Sequence, residues 1–393
     1  MRPLLLDSRA WAIGITCSLF LLFASGNAQT RFDLKLDSGA IVSLSRLNDH
    51  FTTNYIQNNR RLGDVFLRYR GKDGAWQSVD TAQLARDGKV TFTSSADGRL
   101  FKASYQVLYA PANSNTNPTS NQSPPVPVFN LETEIKVAER SISWSLAIKN
   151  VGAAPRQIDD LAIPLPIATS VPGLEGNRRV TILKHSLVEG YTSYMFWMRN
   201  NNIGPFLMLT PREDTKFEYW DAQRMPPPTA TQSRPISPTV GGYRVYIHSA
   251  AAGTEAKAQG TKWRQPNTSL KLAPGESRSY GFKLQWADNY EAVRQILVDE
   301  GLVDVHVVPG MTLPSDLSAR FALHTKQTIR LVETEFPQQT KLESLGAKGD
   351  FHFYQVQFQR LGENRLTIHY GNTQHMYLEF FSTEPLETLI KKR

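Results

Sequence analysis

The chain has 393 residues, of which 40% are hydrophobic and 20% charged, with a formal net charge of +8 and one cysteine. That length and apolar content suffice for two or three domains with their own cores. The basic residues are scattered along the chain, which argues against nucleic-acid binding, because nucleic-acid-binding domains concentrate positive charge on one face.

Residues 1–28 have the layout of a secretory signal peptide, in which two arginines precede an apolar run at 10–25 that ends in small residues. Cleavage is predicted after Ala28, so the mature protein is expected in the periplasm or outside the cell. The apolar run is shorter than the roughly twenty residues that span a bilayer, and a retained membrane anchor is the alternative. Because Cys17, the one cysteine, lies inside this segment, the mature chain is predicted to have no thiol chemistry. Removal of the apolar run also predicts that the mature chain has no membrane span.

The next part of the sequence consists of short β-type runs separated by turn dipeptides such as Asp-Gly. Two proline-rich stretches, 111–128 and 226–238, are predicted to be exposed loops. Many strands with long insertions indicate one large two-sheet sandwich, which we place at 29–288. The predicted strands are 32–36, 41–44, 65–69, 90–93, 105–109, 129–137, 142–148, 180–183, 194–198, 206–209, 217–220, 243–248 and 277–286.

The first helix is predicted at 290–300, with Asp288 or Asn289 as its N-cap and Gly301 as its stop, and we place a linker helix at 289–301. Six or so strands then follow in 302–382, a spacing that fits a small immunoglobulin-like β-sandwich. These strands are 303–308, 320–323, 329–335, 352–358, 366–370 and 376–381.

The end of the sequence carries two further signals. In the last predicted strand, Tyr377, Glu379 and Phe381 share one face, and its aromatic content indicates contact with another domain. A short apolar stripe predicts the start of a C-terminal helix in 383–393. Two helical turns are marginal in water, so this helix either packs on the sandwich or continues in a longer homologue.

Several phrases in the sequence occur together in one known family: FDLKLDSGAIVSLSRLND, RRLGDVFLRYR, LAPGESRSYGFKLQWADNY, VVPGMTLPSDLSARFALHTK, LGENRLTIHYG and MYLEFFSTEPLETLIKKR. From about residue 32 to the end, the chain resembles the exported domain-of-unknown-function family 5695, whose members are similar to glycoside hydrolases. The resemblance implies an amino-terminal β-supersandwich, a small β domain and then a helical toroid, which normally carries the acid and base carboxylates.

Since the sequence ends where that toroid would begin, the resemblance predicts a non-catalytic β region. This region would support a helical catalytic domain, in cis or in trans, and would also bind polysaccharide or oligosaccharide. A stand-alone glycan-cleaving enzyme is one alternative. A structural or adhesive envelope protein is the other, suggested by the immunoglobulin-like carboxy-terminal part.

Glycoside hydrolysis needs two carboxylates about 5–10 Å apart, one of them kept protonated. Four acidic residues flank the aromatic run 217–220 between the proline-rich loops. The enzyme alternative would use Glu218 and Asp221. The simpler interpretation is that all four are solvated strand ends, because exposed carboxylates are the ordinary case. The four residues are Glu213, Asp214, Glu218 and Asp221.

Sugar binding requires flat aromatic rings for the apolar faces of pyranose rings, with polar groups for the hydroxyls. Trp76, Trp144 and Trp286 lie in strand-like contexts and are predicted to be core residues instead. The candidate ligand-binding residues are Tyr191, Tyr194, Trp197, Arg199 and Trp220, with 200–202 and Trp263 as further candidates.

The sequence predicts neither a metal site nor a cofactor. His352, His369 and His375 fall on neighbouring predicted strands, but no two histidines have the i, i+4 spacing of a helical metal site. The sequence also contains no glycine-rich phosphate loop and no nucleophile elbow of the Gly-x-Ser-x-Gly type.

Overall fold

A computed structural model of the protein describes residues 32–51, 53–57, 60–71, 74, 76–109, 125–167, 182–212, 215–222, 243–261, 263 and 265–392. The predicted signal peptide, the second proline-rich stretch, and Glu213 and Asp214 lie outside these residues. None of the helices in the described part of the chain is long and apolar enough to cross a membrane.

The amino-terminal two thirds of the chain are mostly strands. They comprise β1 (Phe32–Asp37), β2 (Ala40–Arg46), β3 (Phe66–Arg70), β4 (Trp76–Asp80), α1 (Thr81–Arg86), β5 (Val90–Ser94), β6 (Leu100–Tyr109), β7 (Val126–Val137), β8 (Ser141–Asn150), β9 (Arg156–Leu165), β10 (Ile182–Leu187), β11 (Tyr194–Arg199), β12 (Phe206–Arg212), β13 (Tyr219–Ala222), β14 (Tyr243–Ser249), α2 (Ala250–Ala258), β15 (Leu270–Leu272) and β16 (Ser277–Ala287).

The remainder begins with helix α3 (Tyr290–Asp299). It continues with β17 (Asp304–Val308), β18 (Thr312–Pro314), β19 (Ala319–His324), β20 (Ile329–Thr334), a short 3-10 helix (Pro337–Gln339), β21 (Thr340–Lys348), β22 (Phe351–Phe358), β23 (Gly362–Tyr370), β24 (Gln374–Thr383) and α4 (Leu386–Lys391).

Two antiparallel sheets form the large sandwich. One has eight strands in the order β10-β11-β12-β16-β8-β7-β6-β5, and the other has the order β13-β14-β9-β3-β4 with β15 added beside β9. Alternate residues of each strand point into a shared core, as in β8, where Trp144 stacks on Phe282 with ring centroids 4.8 Å apart. The predicted fold class, mostly β with a large two-sheet sandwich, is confirmed.

Strand β9, which the sequence pattern does not predict, lies at the centre of the six-stranded sheet between β14 and β3. It contains Asp160, which is fully buried. Its carboxylate accepts hydrogen bonds from the side chain of Arg68 and from the backbone N–H groups of Ala251 and Ala252 at the start of α2. These donors replace water, so a charged residue is tolerated in a central strand.

Helix α2 covers the outer face of the six-stranded sheet, and helix α3 covers part of the outer face of the eight-stranded sheet. Helix α2 packs Ala252 against Tyr246 on the six-stranded sheet. The expectation that the first helix lies at 290–300 is wrong, because α1 and α2 precede it. Both escape the sequence pattern because α1 has only six residues and α2 is alanine-rich, with no distinct apolar stripe.

Helix α3 lies within the segment predicted as a helix, and it begins directly after one of the two predicted N-cap residues, Asn289. The side chain of Asn289 accepts a hydrogen bond from a first-turn backbone N–H at 2.9 Å. Val293 and Leu297 pack against Phe196 and Phe206 on the outer face of the eight-stranded sheet. The helix therefore fixes the point at which the chain leaves the large sandwich.

The carboxy-terminal strands form a second, smaller sandwich of two four-stranded sheets, β17-β19-β22-β21 and β18-β24-β23-β20. Phe321, Leu366 and Phe380 lie in its core. Its immunoglobulin-like character and the boundaries of the domains stay predictions. Helix α4 buries none of its side chains, so its apolar residues do not dock on the sandwich.

Two local expectations need correction. Strand β7 begins at Val126, inside the predicted loop at 111–128, and Pro127 pairs with Leu108 at an irregularity of the β6–β7 ladder, where proline is tolerated. Trp76 is 39% exposed rather than part of the core, since it lies on an edge strand with the guanidinium of Arg70 4.2 Å from its ring centroid.

Candidate functional site

A cleft of about 890 Å³ separates the two sandwiches, and we call it the inter-sandwich cleft. The end of β10, the start of β11 and helix α3 form one side, and β17 and β24 form the other. Its aromatic lining consists of Tyr194, Phe196, Trp263, Tyr290 and Tyr377. Its charged lining consists of Glu189, Glu291, Arg294, Asp304, Glu363 and Glu379.

The turn between β10 and β11 sets the position of Glu189. Gly190 has a φ of 60°, a conformation that glycine adopts without steric cost, and it pairs with Phe217. The hydroxyl of Ser193 accepts a hydrogen bond from the backbone N–H of Glu189 at 2.8 Å and donates to the carbonyl of Gly190 at 2.7 Å. The turn is thereby held closed, with the Glu189 side chain directed towards the small sandwich.

The carboxyl group of Glu189 is buried and accepts a hydrogen bond from the backbone N–H of Tyr377 in β24. The pKa of Glu189 is raised to about 8, mainly by burial and also by the nearby charge of Glu379, although the Tyr377 N–H and Arg365 act in the opposite direction. Glu189 is therefore mainly protonated at neutral pH. A neutral carboxyl group on a cleft wall can donate a hydrogen bond as well as accept one.

Tyr290 is the most exposed ring in the aromatic lining. It is the first residue of α3 and is 43% exposed. Its ring makes edge contacts with Phe196 and Phe206, at centroid distances of 5.7 and 5.1 Å, and its hydroxyl lies 3.0 Å from the sulfur of Met198. These contacts fix the ring while leaving part of it open to the cleft.

Trp263 connects the cleft to the region that contains the predicted carboxylates. Its indole N–H donates to the backbone carbonyl of Glu218 at 2.6 Å, and its ring packs edge-on against Tyr219 at 5.2 Å. This predicted ligand-binding aromatic therefore has a fixed orientation and lines the cleft.

Glu218, a predicted catalytic candidate, is buried in a polar network. Its carboxylate accepts hydrogen bonds from the backbone N–H and hydroxyl of Thr268, at 2.7 and 2.8 Å, and from the hydroxyl of Ser249 at 2.8 Å. Burial raises its pKa, and these hydrogen bonds partly oppose that change. The side chain thus ties β13 to β14 and to the segment before β15.

His248 belongs to the same network. Burial lowers its pKa to about 4, so its imidazole is neutral at neutral pH. Thr268 donates its hydroxyl proton to Glu218, so it accepts from Nδ1 of His248, 2.7 Å away. Nε2 of His248 then accepts from the hydroxyl of Tyr280 at 2.8 Å. Each side chain in this hydrogen-bond network has a partner, which is the arrangement expected of a structural network.

Asp221, the other catalytic candidate, lies on the outer face of the six-stranded sheet. It accepts a hydrogen bond from the hydroxyl of Tyr246 at 2.7 Å and pairs across the strands with Arg244. Burial raises its pKa. In the described residues, Glu218 and Asp221 share no hydrogen-bond partner, so the structure does not assemble them into a pair around one point.

The predicted ligand-binding residues separate into two groups. Tyr194 lines the cleft, and Tyr191 lies half-buried on the neighbouring turn. Trp197 and Arg199, in contrast, are fully buried on β11 and offer no surface to a ligand. Trp220 is partly exposed on edge strand β13, where the ammonium group of Lys184 lies 4.4 Å from its ring centroid.

Arg199 has a structural role that its sequence context does not reveal. Its guanidinium donates to Thr53 at 2.8 Å, to the carbonyls of Ile203 and Gly204 at 2.8 and 3.0 Å, and to the carboxylate of Asp49. It therefore fastens the loop after β2 and the turn after β11 to each other.

The sequence also indicated which strand contacts the rest of the protein. The sequence predicts that the aromatic face of β24 touches another domain. In the structure, the backbone N–H of Tyr377 hydrogen-bonds to Glu189 of the large sandwich, and Tyr377 lines the cleft, whereas Phe381 on the same face is 48% exposed. Glu189 and Tyr290 were not identified from the sequence. Their only signals are a Glu-Gly turn and a tyrosine next to a helix cap, and both patterns are common in proteins without a ligand.

Comparison with known proteins identifies the family. The profile of the Family of unknown function (DUF5695) matches residues 26–393. The chain belongs to this family. The resemblance predicted from the sequence is thereby confirmed, and no curated protein matches the sequence.

Among solved structures, a polysaccharide lyase has a similar fold, with a TM-score of 0.61 and 16% sequence identity over 92% of this DUF5695 chain. The match covers 48% of the lyase, so this chain spans about half of its length.

More distant matches are a galactose mutarotase-like protein from Lactobacillus casei and a GH36 α-galactosidase from Geobacillus stearothermophilus. Their TM-scores are 0.37 and 0.33, and their identities are 8% and 11%. They cover 65% and 68% of this chain, and 97% and 41% of their own lengths.

Proposed function

We propose that this chain is the exported, non-catalytic β-sandwich region of a polysaccharide-acting protein, and that the inter-sandwich cleft binds a neutral oligosaccharide. The observation that carries the proposal is the cleft itself, which combines partly exposed aromatic rings with several carboxyl groups. The fold shared with a polysaccharide lyase supports the substrate class.

The two kinds of lining group suit the two kinds of surface on a sugar. Tyr194, Tyr290 and Trp263 offer ring faces and edges to the apolar C–H faces of pyranose rings. The carboxyl oxygens accept hydrogen bonds from sugar hydroxyls, and protonated Glu189 can also donate one. This division of apolar and polar contacts is typical of small-molecule sites.

The charge of the cleft favours a neutral ligand over an acidic one. Among its described lining residues are five carboxyl groups and one guanidinium, that of Arg294. Arg294 is already engaged by Asp304 at 3.0 Å. A uronate polymer would bring further negative charge against these carboxylates, and like charges disfavour association.

Binding to matched glycans tests this proposal. The purified chain is titrated calorimetrically with neutral oligosaccharides and with the C6-oxidised, uronate form of each. We expect at least one neutral ligand to bind and its uronate form to bind more weakly. Retention of no neutral glycan, or a preference for uronates, would contradict the proposal. Turnover by the purified chain would instead support the enzyme alternative.

A substitution in the cleft locates the site. Tyr290→Ala should weaken binding roughly 3- to 10-fold, the value of one aromatic contact. Trp76→Ala is the matched control, because Trp76 is 39% exposed but lies on edge strand β4, away from the cleft. Equal losses in both variants would show that the cleft is not the binding site.

The proposal also includes a helical catalytic domain, supplied in cis or in trans, that docks at the carboxy-terminal end of the small sandwich. Apolar side chains are exposed there: Leu386 and Leu389 in α4, Ile390 at 66%, and Phe381 in β24. Replacing Leu389 and Ile390 with serine should abolish co-purification of that domain. Serine at Leu331 and Leu345, which are exposed elsewhere on the same sandwich, should leave it unchanged.

A further inference from the structure

Three potential metal ligands converge on the first sheet of the small sandwich. Asp304 and His306 lie two residues apart on β17, so their side chains share one face, and His324 on β19 is the cross-strand partner of Asp304. One ligand atom from each of the three residues lies within 4.8 Å of the other two. Sequence spacing alone does not reveal this group, since it depends on the β17–β19 register.

We propose that Asp304, His306 and His324 bind a divalent transition-metal ion of the zinc class. Zinc bonds to nitrogen and oxygen ligands are about 2.0–2.2 Å long, so neighbouring ligand atoms in a tetrahedral site lie roughly 3.3–3.6 Å apart. Oδ2 of Asp304 is 2.9 Å from Nε2 of His306 and 3.9 Å from Nδ1 of His324, distances that bracket this value.

The chemistry of the ligands selects the type of metal. Two imidazoles and one carboxylate suit zinc, cobalt or nickel, whereas calcium and magnesium prefer sites made only of oxygen ligands. Three protein ligands leave a fourth coordination position for water or another ligand. Because Asp304 lines the inter-sandwich cleft, that position would lie at the cleft wall.

Neighbouring groups already orient the three ligands. The guanidinium of Arg294 donates to Asp304 at 3.0 Å, and a carboxylate has enough lone pairs to accept this bond and also bind a metal. The ring of His324 stacks on Phe351 with a centroid distance of 4.0 Å, which fixes its plane. His306 has 44% of its side chain exposed, so an ion can reach the site from solvent.

Direct metal titration tests the site independently of glycan binding. The purified, untagged chain is stripped with chelator and titrated with Co²⁺, followed by its visible absorption, and with Zn²⁺ by calorimetry. We expect one ion per chain and a competitive loss of the cobalt spectrum when zinc is added. A stoichiometry near zero would overturn the proposal and leave the three residues as a hydrogen-bonded cluster only.

Variants assign the ion to these residues. His306→Ala and His324→Ala should each lower zinc affinity at least about 10-fold, while Arg294→Met, which retains all three ligands, should still bind. His369→Ala is the matched control, because His369 also pairs with a carboxylate, Glu333 at 2.7 Å, but these two do not belong to a group of three potential ligands among the described residues. Circular dichroism checks folding, and an equal loss in the control would overturn the assignment.

Discussion

The carboxyl group of Glu189 and the backbone N–H of Tyr377 form a hydrogen bond that joins the large sandwich to the small one. The two residues are 188 positions apart in the sequence, so their contact depends on the complete assembly of both sandwiches. Since this carboxyl group is buried, its protonation is coupled to the stability of the interface.

The stability of the protein should therefore fall as the pH rises from about 5 to 8. The pKa of Glu189 is near 4.5 when exposed and about 8 in the folded chain, so the folded state binds the extra proton between these values. The contribution of Glu189 to the free energy of unfolding is complete below about pH 4.5 and is lost as the pH rises through 8. The loss is at most a few kcal/mol, at roughly 1.4 kcal/mol per pKa unit.

Glu189→Gln, which mimics the protonated form, should flatten this dependence. Thermal unfolding between pH 5 and 9 measures the difference between the variant and the original chain. Glu291→Gln is the matched control, because Glu291 is an exposed carboxyl group on the same cleft. A slope that Glu189→Gln leaves unchanged would show that another group governs the pH response.

Loss of Glu218 should destabilise the protein rather than affect only a ligand. Glu218→Ala leaves the N–H and hydroxyl of Thr268 and the hydroxyl of Ser249 without their acceptor. An unsatisfied buried group costs about 1–3 kcal/mol, so we expect a loss of about 3 kcal/mol or more in urea unfolding. Glu255→Ala, which removes an exposed carboxylate paired with Arg68, should cost less than about 1 kcal/mol.

Arg199 should tolerate neither alanine nor lysine. Arg199→Ala breaks a buried ion pair with Asp49 and should cost about 3–5 kcal/mol. Lysine retains the charge, but it cannot reproduce the planar fork that reaches Thr53 and two carbonyls together, so we expect a loss of about 1–3 kcal/mol. Arg278→Ala, at a surface ion pair, is the control in the same unfolding assay. Stability equal to that of the original chain would contradict a structural role for Arg199.

The sequence predicted those elements whose own residues carry a clear periodic pattern or cap. Strand β8 alternates apolar and polar residues, and helix α3 has its cap in Asn289 and an apolar stripe through Val293 and Leu297. Strand β9 has no such pattern because Asp160 interrupts its apolar run, and only the side chain of Arg68 and the α2 amides make that position tolerable. These partners are distant in sequence.

The candidate site was predictable only in part, because the contacts that shape it also join residues distant in sequence. Tyr194 was identified because its aromatic run has the composition of a sugar-binding surface, but the same criterion also selected Trp197, which faces the core. Strand alternation gives two faces but does not say which one is solvated. The unusual pKa of Glu189 arises from burial beneath β24, which no local pattern encodes.

The single glycine of helix α2 offers a test of packing against helix propensity. Alanine is favoured over glycine in a helix by about 1 kcal/mol, so Gly253→Ala would stabilise an isolated helix. In the folded chain, however, a Cβ atom at Gly253 would lie 2.3–2.5 Å from the side chain of Asn267. Asn267 cannot withdraw freely, because its amide donates to Ser249 at 2.8 Å.

We expect the clash to outweigh the gain in propensity, since overpacking costs about 1–3 kcal/mol. Gly253→Ala should therefore lower the free energy of unfolding in urea, by roughly 1 kcal/mol. Thr254→Ala, at the exposed neighbouring position of α2, should be neutral or slightly stabilising, because it gains propensity without a clash. If both variants stabilise the protein equally, Asn267 is free to move and does not hold α2 against the Ser249–Glu218 network.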